Sequence, residues 1–431
     1  MPPAPADKTT AAAIRIAIAV SVLMIAYQVA SRATRDALFL TRYDVTELPR
    51  MVATASALGL VAVISFSRLM GTFGPGRLVP KLFAISAVLQ LVEWLLLPHA
   101  PRPVTVLIYL HLSSLGALLV SGFWSLFNER LDPRTAKKNI GLIGAAGTAG
   151  GVAGGLMAER VGALLSISSM LPLLAILHMA CAALVLRLRA APAQHSHIVA
   201  AAAPSEAAGL RTLAASPYLQ TLAAAVLLTT VGQGLYDYLL NATAKATFGG
   251  GEPLLRFFAL FYAAINLLGM IAQAAVGRRV LEKLGVARTV GILPWTTAVG
   301  GLGAIAFPGL PSILAVKTSE AVLRNSVYRS GYELLFTPLP AAEKRPAKAL
   351  LDVGVVRIGD MLAAGLVQLA LFIWLAHAPT LMLGLARANA GLGKLVAAQE
   401  TYNRILREPV SAGAPPAFTA AVDAARTEVA A

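Results

Sequence analysis

The feature that most constrains this chain is the grouping of its apolar residues into long blocks. Each block is roughly 18 to 25 residues long, the length that an α-helix needs to cross about 30 Å of hydrocarbon. The 431 residues are 57% hydrophobic and only 13% charged, and the mean hydropathy is +0.71. Soluble domains of this size do not have such a composition. The sequence therefore predicts an all-α membrane protein that crosses the bilayer many times.

Hydropathy and loop chemistry together predict twelve transmembrane helices. The predicted spans are about 11–31, 48–70, 78–97, 104–127, 140–158, 164–186, 218–240, 254–276, 289–307, 317–336, 349–374 and 379–398. The basic residues of the short loops fall mainly on one side, as in Lys137, Lys138, Arg278, Arg279, Lys344 and Arg345. Because the basic loops of membrane proteins face the cytoplasm, both termini are predicted to be cytoplasmic.

A weak internal repeat divides the chain into two halves. The segment SGFWSLFNERLDPRTAKKN at 121–139 is similar to SGYELLFTPLPAAEKRPAK at 330–348. Each segment begins near the end of the fourth span of its half and continues through a basic turn that contains proline. A repeat of six plus six helices is the arrangement of the major facilitator transporters, whose solute sites lie near mid-membrane between the halves. The predicted organisation is therefore an N-terminal six-helix bundle (1–186), a flexible cytoplasmic linker (187–216), a C-terminal six-helix bundle (217–400) and a polar cytoplasmic tail (401–431), which we expect to be disordered.

The tenth predicted span carries several charges within hydrocarbon length, where each ionised side chain is costly. The polar positions that recur at spacings of three, four and four are Lys317, Glu320, Arg324 and Tyr328. This spacing places them on one helix face, where Glu320 can pair with either basic neighbour. The next span carries Arg357 and Asp360, three residues apart. These charges either form ion pairs that only hold helices together, or form the charged wall of a solute pathway. We expect the second arrangement, in which the side chains face the interface between the halves.

The motifs of several other protein classes are missing from the sequence. It contains no phosphate-binding loop, no HExxH and no nucleophile elbow, so neither an ATP-driven pump nor an enzyme is expected. Cys181 is the only cysteine, which excludes a disulfide framework and a cysteine-based metal site. The formal charge of +15 is spread over loops rather than gathered on one soluble domain, so nucleic acid is not expected as a partner. No cofactor is predicted.

Four motifs resemble the ATP/ADP translocase family of plastids and intracellular bacteria, which includes homologues in free-living bacteria. They are RDALFLT after the first span, FWSLFNE at the end of the fourth, LYDYLL in the seventh, and the Pro-Leu-Pro…Ala-Lys…Asp…Gly run that leads from the tenth span into the eleventh. The resemblance implies transport roles for Arg35, Glu129 and Asp237. It also places Asp360 where the family has a lysine, and Arg357 would then supply the positive charge from the same helix face.

A solute that carries phosphate needs arginine and lysine donors. Arg35, Lys317, Arg324 and Arg357 are the candidates for this role, and Tyr236, Tyr328 or Trp124 could stack a base. The expected protein is a monomeric secondary transporter of the bacterial inner membrane that exchanges nucleotides or other organic phosphates. One alternative is a proton-coupled carrier of another organic anion, with the proton on Asp237 or Asp360. Another is a transporter-like sensor or scaffold that does not transport.

Overall fold

The computed structural model is helical, without β-strands, throughout the part of the chain that it describes. The described residues are 5–130, 133–190, 206–340, 347–348, 350–376, 379–391, 393–407 and 416–430. In chain order the α-helices are α1 (Pro5–Arg42), α2 (Leu48–Phe73), α3 (Pro75–Leu96), α4 (Pro101–Arg130), α5 (Pro133–Leu164), α6 (Met170–Ala190), α7 (Glu206–Ala215), α8 (Pro217–Phe248), α9 (Glu252–Ala272), α10 (Arg278–Ala306), α11 (Leu310–Leu323), α12 (Arg329–Leu335), α13 (Val356–Ala376), α14 (Pro379–Gly391), α15 (Leu395–Arg407) and α16 (Pro416–Ala430). Three π-helical turns interrupt this series at Gln273–Gly277, Arg324–Tyr328 and Leu350–Val355.

Proline marks the first turn of many of these helices. It is the first residue of α3, α4, α5 and α8, and it follows the first residue of α2 and α9. The first helical position suits proline because its missing N–H would have no intrahelical partner there. Ser216 adds a side-chain cap to α8, since its Oγ accepts from the Leu219 N–H at 3.4 Å. The prolines of the sequence therefore mark where these six helices begin.

Ten helices in the described part of the chain are long and apolar enough to cross a membrane. They are α1 to α6, α8 to α10, and the Leu350–Ile373 stretch that contains most of α13. The tenth predicted span is helical from α11 through the π-turn to α12. It is not among these ten helices, because it contains too many charged residues. The twelfth predicted span is interrupted, because α14 has 13 residues and a new helix begins at Leu395. A helix of that length extends only about 20 Å. The count of twelve spans is therefore not confirmed, and the orientation of the termini stays a prediction.

Glycines of α5 allow close helix packing against α1. A Cβ added to Gly150 would lie 2.2 Å from the Val22 carbonyl oxygen, and one added to Gly154 would lie 2.2 Å from that of Ala26. On the same helix, Gly155 packs against the backbone of α9. These positions therefore exclude any side chain. Backbone contact of this kind is typical of small residues spaced four apart in membrane helices.

The chain forms two compact units, Met1–Ala364 and Gly365–Ala431. In the first, the predicted linker is helical at both ends, since α6 continues to Ala190 and α7 occupies 206–215, while residues 191–205 lie outside the described part. The predicted division into bundles at 186 and 217 stays a prediction.

The expectation of a disordered tail was wrong. In the second unit α14, α15 and α16 pack together through a small apolar core that includes Met382, Ala386, Tyr402, Ile405 and Ala425. The tail looked polar because alanine contributes little hydrophobicity. However, Ala398, Tyr402 and Ile405 recur at spacings of four and three, and Ala421 and Ala425 are four apart, which is an amphipathic helical pattern.

Candidate functional site

Three charged side chains from three helices meet inside the first unit. Asp237 of α8 accepts from Arg32 of α1, with 3.2 Å between Nη2 and Oδ1, and lies 2.9 Å from Nζ of Lys317 on α11. The Lys317 side chain is only 3% exposed, whereas Arg32 is 40% exposed and Asp237 26%. One carboxylate therefore joins three helices, and this junction is partly open to solvent.

Glu320 continues this junction along α11. Its two oxygens accept from Lys317 Nζ at 2.8 Å and from Arg324 Nε at 2.5 Å, and its side chain is 1% exposed. The pairing that the sequence spacing predicts is therefore present, and Glu320 pairs with both neighbours. Arg324 also donates to the Thr229 carbonyl oxygen of α8 at 2.7 Å. Arg324 begins the π-helical turn, a distortion that often occurs at functional sites.

A second ion pair on α1 lies beside this junction. Arg35 Nη2 is 2.6 Å from Oδ1 of Asp36, whose other oxygen accepts from the Tyr262 hydroxyl at 2.8 Å. Arg35 also donates to Ser113 Oγ of α4 at 3.1 Å. The Arg32 guanidinium lies over the Tyr262 ring, 4.5 Å from its centroid. Tyr262 of α9 therefore contacts both pairs.

Arg357 and Asp360 are also close together, with 3.7 Å between Nη1 and Oδ2. Both side chains are partly exposed, at 20% and 26%. The Arg357 guanidinium packs on Gly59 of α2, where an added Cβ would lie 3.1 Å from Cζ. This arginine therefore connects a helix of the predicted C-terminal bundle with one of the predicted N-terminal bundle.

A cavity of about 330 Å³ begins at Arg324 and continues toward the ends of α12 and α13. Its polar lining residues are Thr229, Thr230, Arg324, Asn325, Tyr328, Arg329, Tyr332, Glu333 and Asp352. The Tyr328 and Tyr332 rings are stacked with centroids 5.9 Å apart and an interplanar angle of 12°. The wall thus combines two guanidinium groups, two carboxylates, threonine side chains and a flat aromatic surface.

The other predicted residues lie elsewhere. Glu129 is exposed on the last turn of α4, at an end of the helix rather than in its middle. Tyr236 donates its hydroxyl to the Thr297 carbonyl oxygen and lies against α10. Trp124 packs edge-on against Phe123 and Phe127 in an apolar cluster. Of the three aromatic residues considered for base stacking, Tyr328 is the one that lines the cavity.

The ion pairs on α1, α8, α11 and α13 contain five cations and four carboxylates, and the cavity wall adds Arg329, Glu333 and Asp352. The cations are Arg32, Arg35, Lys317, Arg324 and Arg357, and the carboxylates are Asp36, Asp237, Glu320 and Asp360. Together they carry six cations and six carboxylates, so an anion would bind here by taking the place of a carboxylate beside its cation.

At the far ends of α1 and α8, polar contacts join the two predicted halves. Thr41 Oγ1 accepts from the Gly251 N–H at 2.7 Å, and Lys245 Nζ donates to the Tyr43 carbonyl oxygen at 2.5 Å. Arg256 of α9 pairs with Glu159 of α5 at 2.9 Å. The molecule is therefore held closed at this end, which the loop charges predict to be extracellular.

No protein-family model matches the chain, and no curated protein sequence matches it. Several solved structures, however, are similar to the chain in three dimensions. The nucleoside transporter NupG is 9% identical, with a TM-score of 0.60 over 98% of this chain and 96% of that one. The fold is that of the major facilitator transporters. The D-xylose–proton symporter is 12% identical, with a TM-score of 0.55 over 82% and 88% of the two chains. An inward-facing, unoccupied bacterial homologue of the human lysosomal transporter Spinster is 13% identical, with a TM-score of 0.55 over 98% and 93%. At these identities the likeness extends to the fold alone.

Proposed function

We propose that this protein is a secondary transporter that carries a small organic anion across the bacterial inner membrane by alternating access. The observation that supports this best is the junction of Arg32, Asp237 and Lys317, which leads through Glu320 to Arg324 in the wall of the cavity. Charges this deep in a membrane protein typically mark a substrate pathway. Of the site residues inferred from the sequence, those that belong to this proposal are Asp237, Lys317, Glu320, Arg324, Tyr328, Arg357 and Asp360.

The leading solute class is an organic phosphate, with a nucleotide as the first candidate. The Arg324 guanidinium offers the forked donors that suit phosphate oxygens. The hydroxyls of Thr229 and Thr230 donate to carbonyl oxygens of α8 and can only accept from a solute, while the stacked pair of Tyr328 and Tyr332 offers a flat surface for a base. The resemblance to ATP/ADP translocases favours exchange of one nucleotide for another, and we propose that the protein acts as a monomer.

Carboxylates hold the cations of the network while no solute is bound. Glu320 pairs with Arg324, and Asp237 pairs with both Arg32 and Lys317. An incoming phosphate would compete with these carboxylates for the same donors. Binding would therefore rearrange contacts between α1, α8 and α11, and these are the contacts that alternating access has to change.

A ligand screen followed by an uptake assay tests this function. Purified protein is heated with nucleotides, nucleosides, sugar phosphates, uncharged sugars or inorganic phosphate, since a ligand that binds only the folded state raises the unfolding temperature. Ligands that stabilise are then assayed for uptake into proteoliposomes. We expect stabilisation and uptake with phosphate-bearing organic solutes. Stabilisation by uncharged sugars or nucleosides alone would contradict the anion assignment, and absence of transport for every solute would favour a sensor or scaffold.

A proton-coupled carrier of another organic anion is the second candidate. The 3.7 Å separation between Asp360 and Arg357 leaves the carboxylate less tightly bonded than Asp237, and both side chains are partly exposed. Uptake driven by a pH gradient, without stimulation by internal solute, would favour this candidate over exchange.

A further inference from the structure

A second polar cluster lies in the first unit among α1, α3, α4 and α6, and the proposed solute site does not use it. Its members are Tyr27, Ser86, Gln90, Glu93, His111 and His178, all of them buried. The Glu93 side chain is 0% exposed and that of His111 is 1%. Burial of a carboxyl group and two imidazoles inside membrane helices is costly unless hydrogen bonds or protonation compensate.

Four of these side chains form a continuous chain of hydrogen bonds. Oε1 of Glu93 is 2.9 Å from Nδ1 of His111. The other nitrogen of His111, Nε2, is 2.8 Å from Ser86 Oγ, and this oxygen is 2.9 Å from Nδ1 of His178. The His178 ring stacks on Tyr27, whose hydroxyl accepts from the Gln90 amide. Because a serine hydroxyl both donates and accepts, the chain can run in either direction.

We propose that Glu93 and His111 form a proton-binding site, and that Ser86 and His178 relay the proton to and from it. Without the extra proton, His111 donates from Nδ1 to Glu93, Ser86 donates to His111 Nε2, and His178 donates from Nδ1 to Ser86. A proton that binds to His178 Nε2 is balanced by transfer of the Nδ1 proton to Ser86. Ser86 in turn gives its own proton to His111 Nε2. One proton enters, none leaves, and the Glu93–His111 pair becomes neutral overall.

The unmatched oxygen of Glu93 favours this role over packing alone. Within the part of the chain that the structure describes, Glu93 Oε2 and Gln90 Oε1 are buried without a hydrogen-bond partner. Buried polar groups with a purely structural role are normally satisfied. The other titratable groups that face the cluster are Tyr27 on α1 and Cys181 on α6. Neither is a cation that would balance the charge of Glu93 permanently, so the balancing charge comes from the proton that His111 takes up.

Two helices connect this cluster with the proposed solute site. Helix α1 carries Tyr27 and also Arg32 and Arg35, while α4 carries His111 and, two residues later, Ser113, which accepts from Arg35. Reversal of the hydrogen bonds around His111 would therefore act on helices that hold the charged network. On the proposed transport function, the proton would move in the same cycle as the organic anion.

The tautomers of the histidines test proton binding without any solute. Histidine is labelled with ¹⁵N in the purified full-length protein, and ring-nitrogen NMR spectra are recorded between about pH 5 and 8, where imidazoles commonly titrate. We expect His178 to switch from the Nδ1–H to the Nε2–H tautomer at the same pH at which His111 becomes doubly protonated. In Ser86→Ala the two changes should separate. Unchanged tautomers across this range in the wild-type protein would overturn the proposal.

Proton coupling is tested with labelled ATP in proteoliposomes, with and without an imposed pH gradient. The gradient should stimulate ATP uptake in the wild type and in the control His99→Gln, whose ring is exposed outside the cluster, but not in His111→Gln. Equal stimulation in all three would exclude this site as the coupling site. If the wild type takes up no ATP under any condition, the nucleotide assignment fails, and the NMR result alone decides whether the proton site exists.

Discussion

Arg32, rather than its neighbour Arg35, reaches Asp237, with 3.2 Å between Nη2 and Oδ1. Arg35 instead pairs with Asp36 on its own helix and donates to Ser113 of α4. Arg32 therefore connects α1 with α8, across the predicted interface between the halves, and its side chain is the more exposed of the two arginines. Substitution of Arg32 should therefore have a different effect from substitution of Arg35, although the two arginines are only three residues apart.

The first prediction concerns the two arginines. Arg32→Gln should lower affinity for a phosphate-bearing solute by roughly 10- to 100-fold, the equivalent of one charged hydrogen bond of about 1.5–3 kcal/mol. Arg35→Gln should mainly lower the unfolding temperature, because it leaves the buried Asp36 without its cation. Binding and thermal unfolding measured for both variants check the assignment. An affinity loss confined to Arg35→Gln would reverse it.

The second prediction concerns the carboxylate of the junction. Asp237→Asn should destabilise the protein by about 1–3 kcal/mol, because the buried Lys317 loses one of its two carboxylate partners and keeps Glu320. Adding Lys317→Met should recover part of this loss, and unfolding of the single and double variants measures the coupling.

A matched control is the exposed pair of Arg50 and Glu47, whose atoms are 3.2 Å apart. Glu47→Gln should cost less than about 1 kcal/mol, because solvent screens this pair. Equal losses for Asp237→Asn and Glu47→Gln would show that the junction adds no more stability than a surface pair.

Helical periodicity predicted the internal arrangement of the charged span. Lys317, Glu320 and Arg324 pair as their spacing indicates, because contacts within one helix depend only on the helix repeat. The partner on α1 was missed, because whether Arg32 or Arg35 faces α8 depends on how α1 rotates in its contacts with α5 and α9. The glycine contacts of α5 determine that rotation, and they are visible only in three dimensions.

The buried cluster of Glu93, His111 and His178 was not predicted for a related reason. These residues come from three helices, and no spacing in the sequence connects them. The tail was misjudged because a composition rich in alanine concealed an amphipathic pattern. Patterns within one helix were therefore predictable, whereas contacts between distant helices required the fold.

The third prediction concerns the closed end of the molecule. A Cβ built on Gly250 lies 3.4 Å from Thr41 Cβ, close to the separation of about 3.5–4.5 Å found in disulfides. With Cys181 replaced by alanine, oxidation of Thr41→Cys/Gly250→Cys should form a cross-link that stops transport, and reduction should restore it. The two single-cysteine variants are the controls. Full transport by the cross-linked protein would mean that this end does not open during the cycle.

The fourth prediction concerns Arg357 and Asp360. If Arg357 binds the solute, Asp360 competes for it, so Asp360→Asn should tighten solute binding or slow its release in a protein that still folds. Arg357→Ala should abolish binding. Equilibrium binding and efflux rates for both variants check this expectation. A well-folded Arg357→Ala protein that binds and transports normally would leave Arg357 with a packing role against Gly59.

The fifth prediction concerns the C-terminal helices of the second unit. Hydrogen bonds from Arg387 and Tyr402 lower the pKa of Glu428 to about 2. Because the folded-state pKa is depressed, its stabilising effect is complete above the ordinary glutamate value of about 4.3 and is lost as the pH falls toward 2.

At neutral pH, Glu428→Gln should therefore increase amide hydrogen exchange in α16. In the wild type the protection attributable to this contact should fall only below about pH 4. Asp423→Asn, in the exposed pair with Arg426 on the same helix, is the control and should change little. Equal exchange in the two variants would mean that Glu428 does not anchor α16.

On the proposed function, the charged network binds an organic phosphate and carries it across the membrane. The most direct test is uptake of labelled ATP into proteoliposomes that contain unlabelled ATP, with wild type, Arg324→Gln and the exposed control Arg50→Gln. We predict that internal ATP stimulates uptake in the wild type and in Arg50→Gln, and that Arg324→Gln loses it. Stimulated uptake that persists undiminished in a well-folded Arg324→Gln protein would contradict the claim.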